Sequence, residues 1–483
     1  MSSVLRPGPW LVLALCALFA SVPAPASASD LPAPISKALR AAGVARSSVA
    51  IWVQPLAAGE PSLVLNADLP RNPASLIKLL TTYAALETLG PAHRWQTQVY
   101  AAGTLEAGTL SGHLILKGGG DPKLTLEQFW LLLRDVRERG IRHVNGDLVL
   151  DRSYFEHRPH APGDFDAEPL RPYNVGPDAL LVNFKAVRFY FVPQAGRDTV
   201  RVIAEPRPHP LEVVSLVRPT SGRCGNWKSK IQPAFSPTPA TGKALRAVFS
   251  GTYPVSCGER AWNISLFSHT DYVGGLFRQL WEELGGSWKG SVHDGHVPSG
   301  ATLVYTHESP PLAEVIRDIN KFSNNVMARQ LFLTLGANGA GPPASVSAAR
   351  AAVQAALAIN GIDTTGIVIE NGSGLSRGAR VSAKSLAQLL RAAYRSATMP
   401  EFMASLPVVA VDGTMRKRLK KDAVAGQAHI KTGSLSGVRA IAGYVLDRTG
   451  ERQVVVMIVN DANAGRVRPA LEALLRWTYD PTP

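Results

Sequence analysis

Pro73-Ala74-Ser75-Leu76-Ile77-Lys78 opens a segment in which Leu76, Leu79, Leu80, Tyr83, Ala84 and Leu86 recur at helical spacing until Gly90. That periodicity predicts a helix ended by its glycine. Positions three apart share a helix face, so Ser75 and Lys78 stand one turn from each other. A serine hydroxyl needs a base before it can attack, and a desolvated lysine can act as that base at neutral pH. The helix N-terminus also favours an anion developing at Ser75. Taken alone, the pattern also fits a capping serine and a surface lysine. With fifteen lysines in the chain, one such match is expected by chance.

The surroundings of this helix predict how the chain is organised. On its N-terminal side, residues 35–42 read as a helix, and residues 49–53 and 63–65 as strands. After Arg94 the pattern changes. Residues 96–101 and 113–117 read as paired strands, 125–139 as a helix, 147–151 as a strand and 156–177 as loop. Residues 182–255 read as short strands with proline-rich joins, followed by helical texture at 270–284. Helical periodicity returns at 312–320, 326–335, 345–359 and 383–397. Two alternating strands at 438–446 and 453–459 flank Asp447-Arg448-Thr449-Gly450 as a hairpin, and an amphipathic helix spans 467–479. Both ends are thus α/β material around a strand-rich block, the pattern of an insertion into one catalytic domain.

Two further motifs lie beyond the insertion. Ser323-Asn324-Asn325 opens a helix. Its hydroxyl can relay a proton to a leaving amine, and the Asn325 amide can orient a substrate carbonyl. Ser-Asn is equally a helix cap. Lys431-Thr432-Gly433-Ser434 lies on a strand before the hairpin. Lys431 and Thr432 can hold a carboxylate, and Gly433 permits close backbone approach. The amides of Ser75 and Ser434 can form an oxyanion hole. Each of the three motifs occurs once, in the order nucleophile, relay, strand triplet, with Ser75 and Ser323 248 positions apart. This is the signature set of active-site-serine, penicillin-recognising enzymes.

On these motifs the chain resembles the D-alanyl-D-alanine carboxypeptidase/endopeptidases of the class C low-molecular-mass penicillin-binding proteins. Further matching stretches are 118–122, 146–151, Pro172-Tyr173-Asn174, Ser309-Pro310-Pro311-Leu312, Asn371-Gly372-Ser373-Gly374-Leu375-Ser376-Arg377 and 406–414. The resemblance implies an α/β (α+β) fold in which a split transpeptidase/β-lactamase-like domain, an antiparallel sheet flanked by helices, carries two nested strand-rich accessory domains. The expected division is catalytic domain at 29–93 and 294–483, accessory domain II at 94–180 and 262–293, and accessory domain III at 181–261. It further implies that a D-Ala-D-Ala peptide or a β-lactam acylates Ser75, with Lys78 as base. Ser323, Asn325, Lys431, Thr432, Gly433 and Ser434 complete the site. A second-domain acid is expected to meet the free amino end of the peptidoglycan stem peptide, with Asp166 and Glu168 as candidates. The family more often has Trp and adjacent acids, where this chain has Phe165 and acids separated by Ala167. A solvated acidic loop is the other reading of this segment.

The rest of the chain narrows the alternatives. Its 483 residues, 46% hydrophobic and 18% charged, exclude wholesale disorder. Arg6, an apolar run at 10–20 and Ala26-Ser27-Ala28 predict a signal peptide over 1–28 and a periplasmic mature chain. No later run is long enough to span a membrane. Leu15 is large where a lipoprotein site before Cys16 wants a small residue. Cys224 and Cys257 remain, and an exported chain with two cysteines most simply joins them.

The eleven histidines show no zinc-ligand spacing, and no metal or cofactor is expected. The net charge of +14 and the run Arg416–Lys421 suit a solvated face or peripheral contact with anionic envelope polymer rather than nucleic acid. Gly374-Leu375-Ser376-Arg377-Gly378 imitates a nucleophile elbow, with Asp412 and His429 downstream. An elbow needs a strand running directly into a helix, so a glycine-rich loop lining the cleft is expected instead. A β-lactamase with the same triad and a non-catalytic wall-binding protein are the rival functions.

Overall fold

A computed structural model describes residues 2, 31–57, 59–237 and 245–481. The predicted signal peptide and Cys16 lie outside the described residues, apart from Ser2. A five-stranded sheet joins the two ends of the chain. Its strands are β1 (Val49–Pro55), β2 (Leu63–Leu65), β3 (Ala428–Leu435), β4 (Val438–Leu446) and β5 (Arg452–Asn460). Their order is β3-β4-β5-β1-β2, with every neighbouring pair antiparallel.

Side chains alternate across a strand, so the continuous apolar run of β5 supplies two cores. Val454, Val456 and Ile458 face one helix layer, and Val455, Met457 and Val459 face the other. The first layer contains α2 (Ile77–Leu89) and α3 (Asn325–Ala340). The second contains α1 (Ala33–Ala42) and α4 (Arg468–Tyr479).

Helix α2 is buried on all sides from Ile77 to Leu86, as expected of a central helix. Its polar groups are satisfied locally: the Thr82 hydroxyl donates to the Lys78 carbonyl at 2.7 Å and the Thr81 hydroxyl to the Gly372 carbonyl at 2.8 Å. A single 3-10 turn, Ala74–Leu76, precedes α2, and Gly90 ends it as its periodicity predicts.

The insertion builds a seven-stranded sheet and two three-stranded sheets over one continuous core. Phe189, Phe191, Phe249 and Tyr253 pack at the centre of the smaller sheets. Cys224 and Cys257 are disulfide-bonded, the pairing expected from the sequence. The strand Thr302–Glu308 pairs with Gln96–Glu106 in the large sheet. The accessory sheet therefore extends past the expected return to the catalytic domain at 294, and the catalytic helices resume at Leu312. Of this edge strand only His307 is buried, so its sequence lacks the alternation that marks a strand with one face in the core.

Candidate active site

The three motifs converge where α2, α3 and β3 meet. Ser75 lies in the 3-10 turn that feeds α2, after Ala74 at φ +50°. Lys78 is fully buried one turn later. Its Nζ donates to Asn325 Oδ1 at 2.6 Å and to the Ser373 carbonyl at 2.5 Å, and lies 3.2 Å from Ser75 Oγ, whose hydroxyl can donate to its lone pair. Burial first, then the nearby charges of Lys431 and Arg329, hold its pKa well below the usual lysine value. No carboxylate pairs with Lys78 among the described residues. A neutral amine beside a serine hydroxyl is the arrangement a general base requires.

Ser323 adopts a left-handed backbone at φ +56°, a conformation that costs a residue with a side chain about 1–3 kcal/mol. Asn324 then caps α3, its Oδ1 accepting from the amides of Val326 and Met327. Lys431 is fully buried on β3. Its Nζ donates to Ser323 Oγ at 2.8 Å and to the Thr432 carbonyl at 2.9 Å, and burial pushes its pKa down to about 7. Thr432 reaches outward to the Thr414 hydroxyl at 2.9 Å, and Ser434 is exposed at the cleft edge.

Two glycines bring these pieces together. A Cβ on Gly433 would lie 2.5 Å from the Pro73 carbonyl oxygen and 3.3 Å from Ala74 Cβ. The close approach that Gly433 permits is therefore between β3 and the serine turn. Gly374, at φ +77°, has Ala74 and Ser75 against it in the same way. The segment containing Gly374 is the glycine-rich wall of the cleft. Its Ser376 is buried, accepts from the amides of Gly378 and Ala379 and hydrogen-bonds to Glu370. Asp412 binds Lys321 at 2.6 Å and His429 binds the Met403 carbonyl at 3.2 Å, so the imitation elbow has no triad.

The candidate acids lie on the accessory side. Burial raises the Asp166 pKa, but hydrogen bonds from Tyr173, Asn174 and the Glu168 amide outweigh it, and the carboxyl stays below its ordinary value. Glu168 pairs with Arg171 at 3.2 Å. Next to them, Phe165 lies 4.7 Å from the Arg377 guanidinium, and Arg377 donates to the Ser436 carbonyl at 3.2 Å. The acidic segment thus borders the cleft two residues beyond Ser434. Three participants were not assigned from sequence: the Ser373 carbonyl, Arg329 and Thr414. Ser373 and Thr414 lie in stretches that carried the resemblance. Nothing in the sequence pairs a backbone carbonyl with a lysine, and Arg329 sits on α3 like any helix arginine.

The model of the D-Ala-D-Ala carboxypeptidase 3 (S13) family matches residues 31–478. D-alanyl-D-alanine carboxypeptidase of Actinomadura sp. (strain R39) is 30% identical over 81% of this chain and 74% of its own length. D-alanyl-D-alanine carboxypeptidase DacB of Haemophilus influenzae is 27% identical over 81% of each chain. The crystal structure of penicillin binding protein 4 (dacB) from H. influenzae superimposes with a TM-score of 0.75 at 24% identity, covering 92% of this chain and 98% of that one. A structure of that protein complexed with a β-lactam gives a TM-score of 0.72. No described helix is long and apolar enough to cross a membrane.

Proposed function

The chain belongs to the D-Ala-D-Ala carboxypeptidase 3 (S13) family, and on that premise we propose that it is a serine DD-peptidase working through an acyl-enzyme on Ser75. Lys78 takes the hydroxyl proton as Ser75 Oγ attacks the carbonyl between two D-alanines. The Ser75 and Ser434 amides stabilise the tetrahedral oxyanion. Ser323, hydrogen-bonded to Lys431, passes its proton to the departing D-alanine amine and takes one back from the Lys78 ammonium, which leaves Lys78 neutral again. The C–N bond breaks and the ester remains on Ser75. Water, deprotonated by Lys78, then releases the shortened peptide. Asn325 uses its Oδ1 on Lys78, which leaves Nδ2 to orient the substrate amide. Lys431 and Thr432 hold the terminal carboxylate, with Gly433 letting the serine turn lie against the strand that presents them.

The same chemistry opens D-Ala-linked cross-links, and Asp166 and Glu168 read the amino end of the stem peptide. β-Lactams acylate Ser75 in place of the peptide. The chain works in the periplasm, with its basic surface at Arg416, Lys417, Lys420 and Lys421 turned to anionic envelope polymer. The observation that carries this reading is the buried Lys78 amine at 3.2 Å from Ser75 Oγ with no acid among the described residues to hold its charge. The test is release of D-alanine from a D-Ala-D-Ala-terminated pentapeptide. The wild-type chain releases it and Ser75→Ala, folded by circular dichroism, does not. Equal release by both would overturn the proposal.

A further inference from the structure

Between the accessory sheet and the catalytic helices lies a cavity of about 1120 Å³. None of Ser75, Lys78, Ser323 or Lys431 lines it. Its rim, at His157 and Arg158, is exposed, and its floor, at Asp178 and Arg329, is buried. The cavity therefore opens to solvent above a dry floor.

The charges in its wall are unevenly matched. Glu156 pairs with Arg158 at 3.0 Å. Asp178 and Asp294 both pair with Arg152, at 3.0 and 3.1 Å. Two cations remain without a carboxylate partner among the described residues. Buried Arg329 donates to the Val175 carbonyl at 2.8 Å, and half-buried Lys185 donates to the Phe267 carbonyl at 2.7 Å. Both act electrostatically on His160, and the Asp178 carboxylate acts on Lys185, while Arg329 has no such counter-charge among the described residues. A buried cation satisfied only by a carbonyl keeps most of its desolvation cost, and a counter-charge relieves it. Burial alone pushes the Arg329 guanidinium down to about 10, and burial followed by the charges of Lys185 and Arg152 pushes His269 down to about 3. Phe155, Phe332, Leu333 and Ala344 make much of the remaining wall apolar. An apolar cavity of this size with a few convergent polar groups has the form of a small-molecule site.

We infer that this cavity binds a small organic anion, its carboxylate or phosphate group taken by Arg329 and Lys185 and its apolar body set against Phe332 and Leu333. The inference does not depend on the peptidase reading. Isothermal titration of the full mature chain with benzoate, phenyl phosphate and benzyl alcohol tests it, because the three share a ring and differ in the charged group. At least one anion binds in the millimolar range or tighter, and which of the two binds better separates a carboxylate from a phosphate source. Benzyl alcohol does not bind. Lys185→Met keeps the apolar stem and removes the charge, and it weakens the anion by about tenfold or more. Lys185→Gln, checked by thermal melting, gives the same loss if the first variant folds poorly. The inference is overturned if neither anion binds, if benzyl alcohol binds as well as the anions, or if both variants keep wild-type affinity. The last result would place the anion elsewhere, including on Lys431 and Thr432.

Discussion

Substituting Gly374 by alanine tests how the cleft wall sets the nucleophile. The new Cβ would fall 2.0 Å from the Ala74 carbonyl oxygen and 3.1 Å from Ser75 Cα, against about 3.4 Å for ordinary contact. The obstacle is backbone, so no rotamer change relieves it, and the serine turn or the wall must give way by more than about 1 Å. A displacement of that size at a reacting atom costs about a hundredfold in rate. The positive φ of +77° adds about 1–2 kcal/mol of conformational strain. Gly450→Ala isolates that strain, because Gly450 has φ +84° and nothing within 4 Å of an added Cβ. Stopped-flow acylation by a fluorescent penicillin, paired with thermal melts, separates the two effects. Both variants lose about 1 kcal/mol or more of stability. Gly374→Ala acylates about a hundredfold more slowly, and Gly450→Ala acylates at the wild-type rate. A wild-type acylation rate for Gly374→Ala would refute the argument that this glycine positions Ser75.

The remaining predictions concern the base, the imitation elbow and the disulfide. Lys78 acts as a neutral amine and its pKa is held well below 10.5, so the acylation rate rises as pH climbs through that lowered value and reaches its plateau before 10.5. A rate that follows the ordinary lysine titration would contradict the assignment. Ser376→Ala leaves the amides of Gly378 and Ala379 without their acceptor, which lowers stability by about 1–3 kcal/mol while acylation persists. Loss of acylation in a folded Ser376→Ala protein would restore the rival nucleophile. Replacing Cys224 and Cys257 together by serine opens a link spanning 33 residues and costs about 3–4 kcal/mol by the chain-entropy model. Denaturant titration should detect that loss, with penicillin binding retained in the folded fraction. An unchanged midpoint would mean that the small sheets hold themselves without the bond.

The residues with chemical character were legible because reactive groups are rare in fixed order. Ser75, Lys78, Ser323 and Lys431 each belong to a motif that occurs once, and the structure brings Lys78 within hydrogen-bond reach of Ser75 and Lys431 within reach of Ser323. Helix α2 was legible from its periodicity and its glycine stop, and β4 and β5 from the hairpin turn between them, although both strands are buried on two faces rather than alternating. What joins distant parts of the chain was less visible. The pairing of Val49 with Val459 joins strands on either side of the whole insertion, and no local pattern records it. The strand Thr302–Glu308 escaped because an edge strand with only His307 buried needs no apolar alternation. The left-handed backbone at Ser323 and the carbonyl of Ser373 on Lys78 are backbone features, which residue identity does not encode outside glycine.

The most direct measurement is the intact mass of the mature protein after brief incubation with benzylpenicillin, followed by peptide mapping. The account predicts one persistent adduct per chain, located on Ser75. An adduct on another residue, no adduct beside intact drug, or no adduct beside destroyed drug would contradict it, the last by putting a β-lactamase in place of the slowly deacylating peptidase.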